Sequence, residues 1–139
     1  VKSQDFNKLN LVKWFYIIFF HVFKRYYKNG HYKNDIPWLT ASGIIGVAVS
    51  FYLFSFYLLG HFWIYGFVPA QINKNIIIPL GFLVTFLIIA WFIGNKRYLS
   101  IYNKFKDKYS KNRLTETLSW IFVIVPYILF ISLILILKK

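Results

Sequence analysis

Three runs of about twenty residues contain no Asp, Glu, Lys or Arg, and they constrain this chain more than anything else in it. They are Trp38–Leu59 (WLTASGIIGVAVSFYLFSFYLL), Ile76–Ile93 (IIIPLGFLVTFLIIAWFI) and Leu118–Leu137. A bilayer's hydrocarbon core takes about 20 apolar residues as a helix. A backbone crossing it must satisfy its own hydrogen bonds, which rules out open strands. The chain is therefore expected to be an all-α integral membrane protein with three transmembrane helices, at 38–59, 76–93 and 118–137. Residues 1–139 are expected to form a single membrane domain. An apolar content of 58% and a mean hydropathy of +0.53 exceed what a soluble domain of this size carries.

The N-terminal region is harder to read. Only His21 is strongly polar between Trp14 and Phe23, but Lys13 and Lys24 bracket a stretch too short to cross. Val12, Tyr16, Phe19, Phe23 and Tyr26 recur at helical spacing. An interfacial amphipathic helix is expected over 9–27, with a short, tilted fourth span as the alternative. Lys2, Lys8 and Lys13 ahead of an apolar run resemble a signal peptide. No small-residue cleavage pattern follows, so the segment is expected to be retained, and Val1 in place of methionine implies a processed or trimmed chain.

Charge sets the expected orientation. Residues 1–37 carry seven Lys and Arg, 60–75 carry one, 94–117 carry seven and the C-terminus two. Basic loops stay in the cytoplasm, so the two heavily charged regions are expected there, with two spans between them. Lys138 and Lys139 then fall outside, against the rule. Trp38, Trp91 and Trp120 fall at cytoplasmic span ends, Trp14 lies on the same side, and only Trp63 marks the opposite boundary. Abundant Lys, Asn, Ile, Phe and Tyr suit an AT-rich bacterial genome, so the inner membrane is the expected location.

The net charge of +13 sits beside long apolar segments, which favours anionic membrane lipids over nucleic acid as the partner. The most charged segment is 95–113, NKRYLSIYNKFKDKYSKNR. At about 100° per residue, Tyr102, Phe105 and Tyr109 fall within about 40° of Tyr98. A basic cytoplasmic amphipathic helix with an aromatic stripe is expected, Lys96, Arg97, Lys104 and Lys108 being among the cations around it. Such a helix can lie on anionic lipid or dock on protein, including the N-terminal helix, and stacking on nucleobases is the least favoured use.

Within the first span Ser42, Gly46 and Ser50 recur every four residues and form a small-residue face on which a second helix can approach closely. That helix is either another span of this chain or a separate subunit, self or otherwise. Pro79 lies near the start of the second span, where proline is tolerated. Pro126 lies mid-span and deprives the Phe122 carbonyl of its intrahelical donor, so a kink is expected there.

Little in the chain points to catalysis. Four carboxylates, Asp5, Asp35, Asp107 and Glu116, are scattered outside the spans, and His21, His31 and His61 lack metal-binding spacing. Cysteine is absent, which excludes thiolate metal sites and cysteine nucleophiles. The spans carry no ionisable acid or base of the kind coupled transport uses. No catalytic, metal or cofactor site is expected. The leading expectation is a non-enzymatic small membrane subunit that anchors or assembles a larger membrane complex. The alternatives are an oligomeric membrane-perturbing effector or channel, as in antiphage defence or a toxin, and an accessory subunit of a membrane redox complex.

Overall fold

The computed structural model describes residues 2–27, 36–67 and 73–137. Among these the chain is helical apart from short connections and helix ends, with α1 Lys2–Tyr26, α2 Pro37–Tyr65, α3 Lys74–Ile93, α4 Arg97–Tyr109 and α5 Arg113–Leu137. Three helical segments are long and apolar enough to cross a membrane: α2, α5 and the segment whose apolar part is α3. This is an all-α membrane protein.

Local chemistry explains where the helices begin and end. Pro37 occupies the first position of α2, where its missing N–H is not needed, and Gly66 ends the helix with a left-handed φ of 72° while donating to the Phe62 carbonyl at 2.8 Å. Asn73 caps α3 by accepting from the Asn75 N–H at 3.1 Å. Asn112 caps α5 by accepting from Leu114 and Thr115 N–H at 3.1 and 3.3 Å. Helix α2 thus runs past Gly60 and His61 to Tyr65, and α5 starts five residues ahead of its apolar run. The basic helix stops at Tyr109 rather than Arg113, because the Asn112 cap begins the next helix.

Helix α2 is the middle of the three spans: it packs along both α3 and α5, which make little contact with each other. The small-residue face is what brings α3 close. A Cβ placed on Gly46 would lie 2.9 Å from Thr85 Cα, so only glycine allows this separation. Ser50 strengthens the contact by donating to the Gly81 carbonyl of α3 at 3.2 Å, shared with its own Gly46 carbonyl at 2.9 Å. Thr85 donates to the same Gly81 oxygen at 2.9 Å.

Pro126 is fully buried in α5, which continues through it to Leu137. The Phe122 carbonyl that proline leaves without a donor is met by α2: the Tyr52 hydroxyl donates to it at 3.0 Å, with the two rings 5.1 Å apart. Phe51 adds ring contacts to Tyr127 and Phe130 at 4.9 and 5.1 Å. Pro79 sits deeper than its place in the apolar run implied. Because α3 begins at Lys74, it is the sixth helical residue, and it frees the carbonyl of exposed Asn75.

The core lies at one end of the bundle. Ile17 and Phe19 to Phe23 of α1 are buried together with Ala41 and Ile45 near the start of α2, Phe92 at the end of α3, Ile101 and Phe105 of α4, and Val123 of α5. Helix α1 is not among the helices able to cross a membrane. Five consecutive residues, 19 to 23, are buried, so over this stretch the helix is enclosed around its whole circumference and not along a single apolar stripe. Of the five residues read as its apolar face, Phe19 and Phe23 are buried, Tyr16 and Tyr26 half-buried, and Val12 exposed.

Candidate functional site

The basic end of the bundle joins most of the residues singled out by the sequence. Phe92 stacks on Phe19 with ring centres 3.9 Å apart and on Phe15 at 5.6 Å, which ties the end of α3 to α1. The aromatic stripe of α4 faces the same helix. Tyr102 meets Phe20, Phe23 and Tyr27 at 5.9, 5.7 and 4.8 Å, Tyr98 meets Phe23 and Trp38 at 6.1 Å each, and Phe105 meets Phe20 at 6.4 Å. Phe105 is buried, while Tyr98, Tyr102 and Tyr109 are half-buried. The rings are thus occupied within the protein, and Ile101 widens the buried stripe. Burying them turns the charges outward. Lys96, Lys104, Lys106 and Lys108 are exposed, with Lys104 and Lys108 Nζ folding back to 5.7 and 5.5 Å from the Phe105 and Tyr109 rings.

Helices α3 and α4 are divided by a sharp bend. Asn95 and Lys96 both take left-handed backbone conformations, with φ of 55° and 52°. Asparagine tolerates this region and lysine does so at a cost of about 1 kcal/mol or more, so the surrounding packing must hold the bend. The turn carries Arg97 back over the end of α3. Its guanidinium lies 4.3 Å from the centre of the exposed Trp91 ring, and Nη1 donates to the Trp91 carbonyl at 3.2 Å.

His21 is the buried polar residue the sequence pattern misplaced. Expected at an interface, it is 2% exposed and its Nε2 lies 2.8 Å from Thr115 Oγ1 at the start of α5. The Thr115 hydroxyl donates to the Asn112 carbonyl at 3.1 Å, which leaves its lone pair to accept from His21 Nε2–H. The neutral Nε2–H tautomer follows, and the buried Nδ1 has no hydrogen-bond partner. Burial lowers the pKa of this imidazole below 6.5; Glu116 opposes the shift and Lys24 adds to it. Lys24 is itself held to the α4 end of the chain by a hydrogen bond to the Ser110 carbonyl. The apolar circumference of YIIFFHVF was the available signal for this burial; Thr115 carried none.

No family model, curated protein or solved structure matches this chain. His61 lies in the last turns of α2, its Nδ1 2.9 Å from the Phe67 carbonyl, far along the bundle from His21 of α1, which pairs with the start of α5. His31, Lys138 and Lys139 lie outside the described residues. Among the described residues no cluster of His, Asp and Glu could hold a metal ion. Span hydroxyls are largely committed to carbonyls: Ser42 donates to Trp38 O at 2.5 Å, and Ser50 and Thr85 to Gly81 O. Ser55 is fully buried and its hydroxyl has no hydrogen-bond partner.

Proposed function

We propose that this chain is a non-enzymatic integral membrane subunit that anchors or assembles a larger membrane complex, with its basic end cytoplasmic in a bacterial inner membrane. The observation that carries the reading is the distribution of burial among the spans. Of the twenty residues of α3 only Phe92 is buried, and Ile76, Ile78, Leu80, Phe82, Leu83, Phe86, Leu87 and Trp91 are all exposed. A row of three helices with α2 in the middle cannot enclose α3, so most of its circumference is available to lipid or to helices of another subunit.

The Gly46 and Ser50 part of the small-residue face is already occupied by α3, so an assembly partner must use other surfaces. The exposed lysines of α4 complement the anionic leaflet and hold this end at it. A pore made by several copies would need a polar stripe facing outward from the bundle. The span hydroxyls Thr40, Thr85 and Ser132 are half-buried and Ser55 is enclosed, which weighs against that reading.

Purification in mild detergent with mass determination tests the proposal. Co-purification of a membrane protein in fixed stoichiometry is the expected result. A lone monomer in native-like lipid would contradict it.

A further inference from the structure

We propose that the bend between α3 and α4 is a binding site for an anionic phospholipid, with the lipid phosphate on Arg97 and an acyl chain along Leu80, Leu83 and Leu87. The proposal rests on the membrane reading given above and adds a defined site to it. Three features converge there. First, the Arg97 guanidinium is held in place rather than free to wander: it stacks 4.3 Å over Trp91 and spends one N–H on the Trp91 carbonyl at 3.2 Å. Among the described side chains no carboxylate takes its remaining donors. Guanidinium presents a planar fork of N–H groups that matches phosphate oxygens, and stacking on an aromatic face fixes its orientation without neutralising it.

Second, Arg97 sits where an apolar span ends. Trp91 is 52% exposed, as expected for a ring at the headgroup boundary. Lys96 is exposed at the same bend and adds a second positive charge. Third, an acyl track leads away from the cation. Leu80, Leu83, Leu87 and Trp91 fall within about 80° of one another on the helix. All four are exposed, at 48%, 54%, 58% and 52%. The eleven-residue rise from Leu80 to Trp91 is about 17 Å, close to the depth of one leaflet's hydrocarbon. A cation at the top, an aromatic ring at the border and a leaflet-long apolar groove wall below match one glycerophospholipid, head to tail. The paired left-handed residues Asn95 and Lys96 give the bend a purpose, since they carry Arg97 back over Trp91.

The test uses Trp91 as the reporter. Trp14, Trp38, Trp63 and Trp120 are replaced by Phe, and the protein is reconstituted in phosphatidylcholine vesicles containing dibrominated phosphatidylglycerol or dibrominated phosphatidylcholine. Trp91 should be quenched by both lipids, with phosphatidylglycerol favoured about fivefold, the equivalent of about 1 kcal/mol for one basic residue near an anionic surface. Arg97→Gln should reduce that preference to about one, whereas Lys104→Gln, which removes the same charge from the exposed side of α4, should leave it intact. An unchanged preference in Arg97→Gln overturns the site while the membrane reading stands. Absence of quenching by either lipid removes both. If the tryptophan-reduced chain does not fold, native mass spectrometry of the otherwise unaltered protein and its Arg97→Gln variant in an equimolar mixture of the two lipids decides the same question. Retention of phosphatidylglycerol on the unaltered protein, lost in the variant, supports the site, and equal retention contradicts it.

Discussion

Tyr52 repairs the hydrogen bond that Pro126 breaks, and this repair can be measured directly. Tyr52→Phe removes only a hydroxyl, leaving the ring contact to Phe122 at 5.1 Å, while the Phe122 carbonyl loses its donor at 3.0 Å. Interhelical hydrogen bonds in lipid average about 0.6 kcal/mol and reach about 1.7 kcal/mol. This one should fall at the upper end, about 1.5 kcal/mol or roughly a tenfold shift in the folding equilibrium, because proline prevents the backbone from taking over. Pro126→Ala supplies the missing N–H, so Tyr52→Phe in that background should cost only about 0.5 kcal/mol. The resulting coupling of about 1 kcal/mol is read from a double-mutant cycle, which also cancels any change in helix shape caused by the proline substitution. Unfolding in bicelles, followed by circular dichroism, supplies the four stabilities. Equal costs of Tyr52→Phe with and without the proline would refute the reasoning.

Further outcomes follow from the other contacts. Gly46→Ala should destabilise the α2–α3 pair by about 1–3 kcal/mol, because its methyl meets Thr85 backbone at 2.9 Å, while Gly43→Ala, with nothing within 4 Å, should be neutral or slightly stabilising in the same unfolding assay. His21 has a depressed pKa, so the folded state binds fewer protons than the unfolded state just below pH 6.5. Stability should therefore be full above that pH and fall on acidification through the folded-state value; a His21→Leu variant should lose this dependence, and an unchanged pH profile would contradict the buried assignment. Replacing Tyr98, Tyr102, Phe105 and Tyr109 together by Ser should speed amide hydrogen exchange in both α4 and α1, since the rings of one rest on the other. Unchanged exchange would mean the stripe packs on nothing.

The spans were legible because hydrocarbon imposes a one-dimensional rule: length and absence of charge suffice. Their ends were less so. Helix α2 passes Gly60 because neither a breaker nor a cap acts there until Gly66, and α5 begins early because Asn112 captures its first amides. The small-residue face was visible as spacing, but only the 2.9 Å approach of Thr85 shows that α3 fills it. The aromatic stripe over 98–109 was also visible, and the N-terminal helix is one of the surfaces on which such a stripe can dock. Helix α1 was expected, but its enclosure was hidden, for a different reason. Its periodic rings describe one face, whereas α2, α4, α5 and Phe92 surround it, and a tertiary enclosure of that kind leaves no periodic trace. The same applies to the His21–Thr115 pair, 94 residues apart, and to Tyr52 meeting the carbonyl below Pro126.

Membrane sidedness is the most direct test, since the packing of α1 on α4 requires both basic regions to share one face of the bilayer. The chain has no cysteine, so any introduced thiol is unique. Arg25→Cys and Lys106→Cys, both at exposed positions, and Trp63→Cys, 89% exposed near the far end of α2, are labelled one at a time with a membrane-impermeant maleimide in right-side-out and inverted vesicles. Arg25→Cys and Lys106→Cys should react only in inverted vesicles and Trp63→Cys only in right-side-out ones. Labelling of Arg25→Cys and Lys106→Cys from opposite sides would contradict the account.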